Sequence, residues 1–477
     1  MSVNAPLGAT PEGGAFDVTA AATLVGPART LRRPRSRSRA ERIGIGATLA
    51  IPALGLLLCI AGTRSPALAP QSLRLAPQIS GMAGPLKYIG LSLSVGEVIA
   101  ALVVLVLLYL TALAHHEHIP ARLLIWAVAA FTVIVMIGPP LFSTDAFSYQ
   151  GYAQMLVRYH ANPYVYGFDV TGNSYPLPNT LAWYIGQNWT PMPSVYGPLF
   201  TFLSAAFAST SIAFSYFAFK VIAAAASGGT LWLIWKSAQR RGVSPTRGIA
   251  LFGLNPMVTL FGIGGGHNDL LMLLLTTAAI YAVLCRRERA AGTLLTAGAA
   301  IKLTGAIVLP FALLGEASEP DIGGRRRRLL AALAASGLLV AVASYIAFGT
   351  GVLNMLNTLQ RVQDLGTWQS VPGFVFSLTQ LPITHLVRIA DDVLLAGVVL
   401  WLMRRVWQGR MHWIDGAAWA TFAVLLTAWM LVPWYIAWLL PLVAISSNRR
   451  LWNVATVTTI IGAVLMVASC FPYWNGL

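Results

Sequence analysis

Residues 122–145, RLLIWAVAAFTVIVMIGPPLFSTD, run from one basic residue through an unbroken apolar stretch to a carboxylate, Asp145. A helix needs about 20 such residues to cross hydrocarbon. Elsewhere the chain avoids charge: 10% of residues are charged, and Asp plus Glu number 16 of 477. Leaving a carboxylate ionised at the end of a span costs on the order of 2.5–3.5 kcal/mol on insertion scales, so Asp145 reads as a functional-site candidate. A connection of about fifty residues, rich in Tyr, Trp, Asn and Pro, then runs to Pro193. Ordinary interhelical connections hold roughly 2–8 residues. An acid at a membrane boundary under a polar-aromatic loop has the make-up of an active site.

The composition, 57% hydrophobic with a mean hydropathy of +0.68, marks an all-α polytopic membrane helix bundle. Further apolar windows lie at 43–62, 91–113, 212–235, 247–265, 268–285, 329–347, 386–403 and 451–470. Two stretches, 291–314 and 415–446, are too long for one span and too short for two, and break at Lys302 and Pro433. Both are expected to be hairpins of short helices, giving 11–13 segments. A basic arm over residues 1–42 is expected to be disordered and cytosolic, ahead of a transmembrane domain over 43–477.

Short cytoplasmic loops collect Lys and Arg. Such clusters occur at Arg32 to Arg42, Lys236 to Arg247, Arg286 to Arg289, Arg325 to Arg328, Arg404 to Arg410, and Arg449 with Arg450. They share one side only if 291–314 enters the bilayer and returns. The N-terminus is then cytoplasmic, and the outer face carries 142–195, the turn Gly264 to Asn268, and 348–385. The net charge of +16 is accounted for by topology and anionic inner-leaflet lipid, so no nucleic-acid partner is expected. Cys59, Cys285 and Cys470 read as small apolar residues.

On the outer face, Ala146 to His160 has the spacing of an amphipathic helix lying on the bilayer surface. Gly264-Gly265-Gly266-His267-Asn268-Asp269 joins two spans, with Asn268 or Asp269 as N-cap of the second. The turn reads either as a plain glycine hairpin or as a phosphate seat at a helix N-terminus. Lys302, inside an apolar stretch, must pair, snorkel or bind an anion. Trp434 and Tyr435 cap the other hairpin as interfacial anchors or ligand contacts. Arg361, Asp364, Trp368 and Gln369 make the second outer loop polar enough to bind a sugar or simply to cover the site. Walker, dinucleotide, HExxH and GxSxG motifs are absent. No Asp-x-Asp pair marks the outer face, and His115-His116-Glu117-His118 sits in a turn on the basic side. No metal or other cofactor is expected.

FSTDAFSYQGYAQ, NPYVYG, YGPLF, LNPMVTLFGIGGGHNDLLM, AIKLTGAIVLPF, SVPG and LVPWYIAWLLPL follow one another from Phe142 to Leu442. In this order they resemble the actinobacterial polyprenol-phosphate-mannose-dependent α-1,6-mannosyltransferases, integral membrane glycosyltransferases of the GT-C class. The resemblance runs from about residue 90 onward. It implies a GT-C fold with Asp145 as general base and Gly265, Gly266, His267 and Asn268 near the lipid phosphate of the donor. It also implies transfer from polyprenyl-phosphate mannose to a mannoside or glycolipid acceptor, with inversion, at the outer face of the plasma membrane. His267, with Lys302 or Arg361, would then meet the departing phosphate, and the reaction would need no metal. Tyr149, Gln150, Tyr164, Tyr196, Trp368, Trp434 and Tyr435 are the candidate sugar contacts. Asp169 and Asp364 are the reserve bases. The residues do not distinguish mannose from arabinofuranose or glucose. A flippase of lipid-linked sugars is the alternative class, although no paired repeat is evident. A membrane scaffold would have no reason to place Asp145 and His267 on one face.

Overall fold

Apolar runs bounded by glycine, proline and charge become helices, and all regular structure among the described residues is helical. The computed structural model describes residues 38–65, 67–69, 81–168, 181, 184–185, 189–315, 321–367, 369–379 and 385–468. Helix α1 spans Arg39–Ala61, α2 Val95–Ala114, α3 Ala121–Ile137 and α4 Asp145–Arg158. Next come α5 Pro198–Ala205, α6 Ile212–Arg241, α7 Pro245–Gly253 and a π-helical turn Met257–Ile263. Helix α8 spans Asp269–Leu284, α9 Glu288–Ile301, α10 Val308–Leu314 and α11 Ile322–Phe348. Helices α12 Asn354–Leu365 and α13 Val371–Thr379 lie in the second long loop, followed by α14 His385–Trp407, α15 Trp413–Thr427, α16 Leu440–Ala444 and α17 Arg449–Ala468.

Local chemistry sets several ends. Ser94 and Glu97 form a reciprocal capping box at the start of α2. Ser211 caps α6, and Gly242, at φ 66°, closes it in a left-handed turn. The apolar run 247–265 is broken rather than continuous, bending by 48° between α7 and the π-helical turn. Pro256 cannot continue the hydrogen-bond ladder, and buried Asn255 repairs the break. Its amide donates to Tyr109 Oη at 3.1 Å and Thr459 Oγ1 at 3.2 Å, while its Oδ1 accepts from Met257 N at 2.9 Å.

Among the described residues, four stretches are long and apolar enough to cross a membrane, or five with the bent pair. Contacts between helix ends sort the chain into two poles. At the basic pole, Arg241 binds Ile445 O and His412, and Arg240 lies over Tyr281. Arg247 lies over Trp452, Arg326 lies over Trp407, and Arg325 pairs with Glu288. At the opposite pole, Lys220 meets Gly138, Asn162 meets Phe348, and Arg388 meets Asp364.

Both expected hairpins start and finish at the basic pole. Arg325 ties the start of α9, while Arg326 donates to Leu313 O and Leu314 O at the end of α10, both at 2.9 Å. Ser446 Oγ donates to Asp415 Oδ1 at 2.6 Å, closing the second hairpin in the same way. Helix α9 has 14 residues and so rises about 21 Å, short of the ~30 Å hydrocarbon thickness. The chain therefore reverses inside the bundle at Lys302. A Cβ on Gly305 would lie 2.9 Å from the carbonyl of Gly298, so the returning strand of chain packs directly on α9.

Two expectations change. The basic arm gives way to helix at Arg39, not residue 43, and residues 1–37 lie outside the described set. The segment Ala146 to His160 is helical as far as Arg158 but does not lie on a surface: Ala146 to Met155 are all buried. Aromatic partners close on it from several sides. Phe147 stacks on Tyr216 at 5.0 Å, Tyr149 meets Phe200 edge-on at 4.6 Å, and Tyr152 meets Phe168 at 4.4 Å. Burying so many rings outweighs any gain from headgroup contact.

Candidate active site

Asp145 is held by the way α3 ends. Gly138-Pro139-Pro140 stops that helix, and the ammonium of fully buried Lys220 donates to Gly138 O at 2.7 Å and Pro139 O at 3.3 Å. A cation on the last carbonyls of a helix is favourable. Phe142 then takes a left-handed turn at φ 59°, and Asp145 N donates to Ser143 Oγ at 3.2 Å. Asp145 becomes the first residue of α4, where a carboxylate complements the helix N-terminus.

Asp145 faces His267, with Oδ2 3.2 Å from Nδ1. The Asp145 side chain is 30% exposed and that of His267 is 0% exposed, so the carboxylate has open space on one side only. The imidazole is fixed by stacking on Trp434, with ring centroids 4.0 Å apart. Gly266, at φ +65°, makes the turn that delivers it. A Cβ there would press at 3.2 Å on Phe219 of α6.

Asn268 is the N-cap of α8, but its side chain makes no capping bond. Its backbone N–H donates instead to Tyr149 Oη at 3.3 Å, and its Oδ1 accepts from the same hydroxyl at 3.5 Å. Asn268 and Asp269 are 2% and 1% exposed. The start of α8 is thus buried in this conformation, with the Asn268 N–H spent on Tyr149.

The apices of the two hairpins meet here. Lys302 Nζ donates to Asp269 Oδ1 at 2.7 Å, and Trp438 Nε1 donates to the same oxygen at 2.6 Å. The ammonium lies over the Tyr435 ring at 4.5 Å and the Trp438 ring at 5.3 Å, and those rings stack at 4.1 Å. The turn at Tyr196 closes the third side. Gly197 N donates to Ile301 O at 3.0 Å, and a Cβ on Gly197 would lie 2.1 Å from Ala300 O, so only glycine fits.

Burial opposes the charge on Asp145. The His267 imidazole, then the Lys302 ammonium and the Tyr196 hydroxyl, outweigh it and hold the carboxyl below its ordinary range. An ionised carboxylate beside an opening, with a fixed imidazole and a cation nearby, is equipped to accept a proton and to stabilise an anionic leaving group. Among the described residues, no three of His, Cys, Asp and Glu are grouped to hold a metal ion.

The structure thus gathers Asp145, His267, Asn268, Gly265, Gly266, Lys302, Tyr149, Tyr196, Trp434 and Tyr435 in one region. Tyr164 forms the layer behind: its hydroxyl donates to Tyr196 O at 2.9 Å. Gln150 is buried away from the opening, donating to Thr210 O at 2.9 Å. Arg361 is exposed on α12, and Asp364 is paired with Arg388 at 2.8 Å. Trp368 and Asp169 lie outside the described residues. Sequence reasoning gave no site role to Asp269, Trp438 or Lys220. A carboxylate able to answer Lys302 was the missing signal for Asp269, and a lysine inside the 212–235 span was the signal for Lys220.

Residues 49–317 match the family described as alpha-(1->6)-mannopyranosyltransferase, N-terminal domain, and residues 362–471 match one described as MptB C-terminal domain. The chain is 28% identical to alpha-(1->6)-mannopyranosyltransferase A of Mycobacterium tuberculosis, over 67% of this chain and 65% of that protein. It is 24% identical to alpha-(1->6)-mannopyranosyltransferase B of Corynebacterium glutamicum, over 69% of this chain and 59% of that protein. A probable alpha-(1->6)-mannopyranosyltransferase of Mycolicibacterium smegmatis is 23% identical over 72% of this chain and 68% of its own length. The chain therefore spans roughly two thirds of the relatives it matches.

Proposed function

Because the chain belongs to the alpha-(1->6)-mannopyranosyltransferase family, we propose that it transfers mannose from a polyprenyl-phosphate mannose to the 6-hydroxyl of an α-mannoside, inverting the anomeric carbon. Asp145 removes the proton from the acceptor hydroxyl as its oxygen bonds to C1 of the mannosyl group. The bond from C1 to the phosphate oxygen breaks, and its electron pair leaves on the polyprenyl phosphate. One displacement with one base gives inversion.

The observation that carries this reading is the Asp145–His267 contact at 3.2 Å beside an opening. His267 turns Nδ1 to the carboxylate, and as an imidazolium it would carry an Nε2–H for the developing phosphate charge. Lys302 has three donors, of which one goes to Asp269, so its remaining N–H groups suit the same task. A cation and an imidazole supply this without carboxylate-bound metal. The basic pole would face the cytoplasm by the charge rule, and Asp145 would then lie at the outer surface of the plasma membrane, where a lipid-anchored donor presents its headgroup.

The test is transfer of radiolabelled mannose from polyprenyl-phosphate mannose to a short α-1,6-mannoside. It would use membranes holding either the full chain or its Asp145→Asn variant. Label transfer that depends on Asp145 supports the assignment; equal transfer by both removes it.

A further inference from the structure

Asp269 takes no step in the displacement, yet it is the most tightly enclosed acid at the site. It is 1% exposed. Oδ1 is fully occupied by Lys302 Nζ at 2.7 Å and Trp438 Nε1 at 2.6 Å. Oδ2 is buried and has no hydrogen-bond partner among the described residues. An ionised oxygen cannot be left so without a large penalty. Its charge is already answered by Lys302, so what Oδ2 lacks is a hydrogen-bond donor rather than a second cation.

Its neighbours lack partners in a complementary way. Asn268 Nδ2 and Trp434 Nε1 are both buried without a hydrogen bond among the described residues. One unmet acceptor beside unmet N–H donors suits a ligand whose groups both donate and accept, which is what a hydroxyl does. Tyr435 stacks on Trp438 at 4.1 Å, and Trp434 stacks on His267 at 4.0 Å, so aromatic rings crowd the same region. Several hydroxyls on a ring with an apolar face describe a pyranose.

We propose that Asp269 Oδ2 accepts a hydrogen bond from a ring hydroxyl of a pyranose held against the junction of the two hairpin apices, and that Asn268 Nδ2 donates to a hydroxyl of the same sugar. Asp269 and Asn268 are then the residues by which the site reads the sugar's hydroxyl pattern. This rests on the glycosyl-transfer reading of the site and names sugar contacts that reading leaves open. The pyranose is supplied by the acceptor or by the transferred residue of the donor, and the chemistry of the contact is the same for both.

Binding, not turnover, tests it. The full chain in detergent, carrying Asp145→Asn, is titrated by intrinsic tryptophan fluorescence in two series. One uses methyl α-mannoside and its 2-, 3- and 4-deoxy analogues; the other uses mannosyl phosphate and the matching deoxy analogues. One deoxy analogue in one series should bind about 10- to 150-fold more weakly, the loss of a single hydrogen bond to a charged group. The series in which this occurs identifies the source of the sugar. Adding Asp269→Asn, which keeps an oxygen for Lys302 and Trp438, should shrink that discrimination to within about threefold. The proposal is overturned if no analogue in either series loses more than threefold, or if the discrimination survives Asp269→Asn. Should that variant not purify folded, Asn268→Ala must abolish discrimination at one hydroxyl, and an unchanged panel overturns the proposal equally. Neither titration involves turnover, so a failure of Asp145 as base would show in the transfer assay and leave these outcomes readable.

Discussion

Arg325 Nε lies 2.6 Å from Glu288 Oε1, with 8% and 5% of the two side chains exposed. Glu288 begins α9 and Arg325 lies in the first turn of α11, so both ends of the apolar stretch between them sit at one pole. A single crossing between these residues would have separated them by the length of a span. The pair also receives Arg325 Nη2 on Val283 O at 3.2 Å, which brings the end of α8 to the same point.

The first prediction tests that parity in the membrane. Gly323 has open space around its would-be Cβ, so Gly323→Cys should fold normally. A membrane-impermeant maleimide should leave it unlabelled in intact cells and label it once the inner face is opened. Labelling from outside intact cells would place the basic pole outside and reverse the proposed orientation.

Glu288→Ala should unfold the first hairpin early. Removing one partner of a buried pair leaves the other charge unanswered, at a cost of about 3–5 kcal/mol. Arg328 Nε, 3.6 Å from Glu288 Oε2, loses that contact as well but keeps Asp321 at 3.1 Å. The measurement is the thermal midpoint of the detergent-solubilised protein. A shift of less than a degree or two would mean the pair adds nothing to holding the hairpin.

The poles and hairpins could be read in the sequence because they follow from local and additive properties. Arginine clusters mark one side, and apolar lengths of 24 and 32 residues at 291–314 and 415–446 fit neither one span nor two. Asp145 and His267 could be read as well, since each is an ionisable residue beside an apolar run. The contact between the hairpin apices could not. Asp269 and Lys302 are 33 residues apart, Asp269 and Trp438 are 169 apart, and nothing periodic links them. The surface helix over 146–160 misled because its Tyr and Phe residues suit a headgroup belt and a buried aromatic cluster equally well. Only the rings of Phe200, Tyr216 and Phe219 decide between the two.

Asp145→Asn is expected to lower turnover by about 10²–10⁴-fold, the usual effect of removing a general base. The side chain is nearly unchanged in shape and 30% exposed, so the thermal midpoint should stay close to that of the parent. Near-parental turnover would send the search for the base to Asp269, the other carboxylate in the region.

Transfer is expected to survive chelation. Lys302 and His267 are placed to meet the phosphate charge, so prior EDTA treatment should leave the rate of mannose transfer within twofold of untreated membranes. Loss of activity with EDTA and its return with manganese or magnesium would show that a metal does this work.

The last prediction concerns pH. Asp145 acts as base only when ionised, and its neighbours hold its carboxyl below the ordinary range, which centres on about pH 3.9. The parent protein should therefore show no loss of kcat/KM attributable to Asp145 between about pH 5 and 7. In His267→Ala the imidazole is gone while burial still opposes the charge, so the carboxyl rises and an acid limb should move up toward neutral pH. Stability changes with the same sign. A carboxyl depressed in the folded state contributes stability that is complete above its unfolded value, about 3.9, and is lost as pH falls through the folded one. His267→Ala should accordingly cost more stability at pH 7 than at pH 3. Superimposable pH profiles for the two proteins, differing in amplitude alone, would show that His267 does not govern the charge on Asp145.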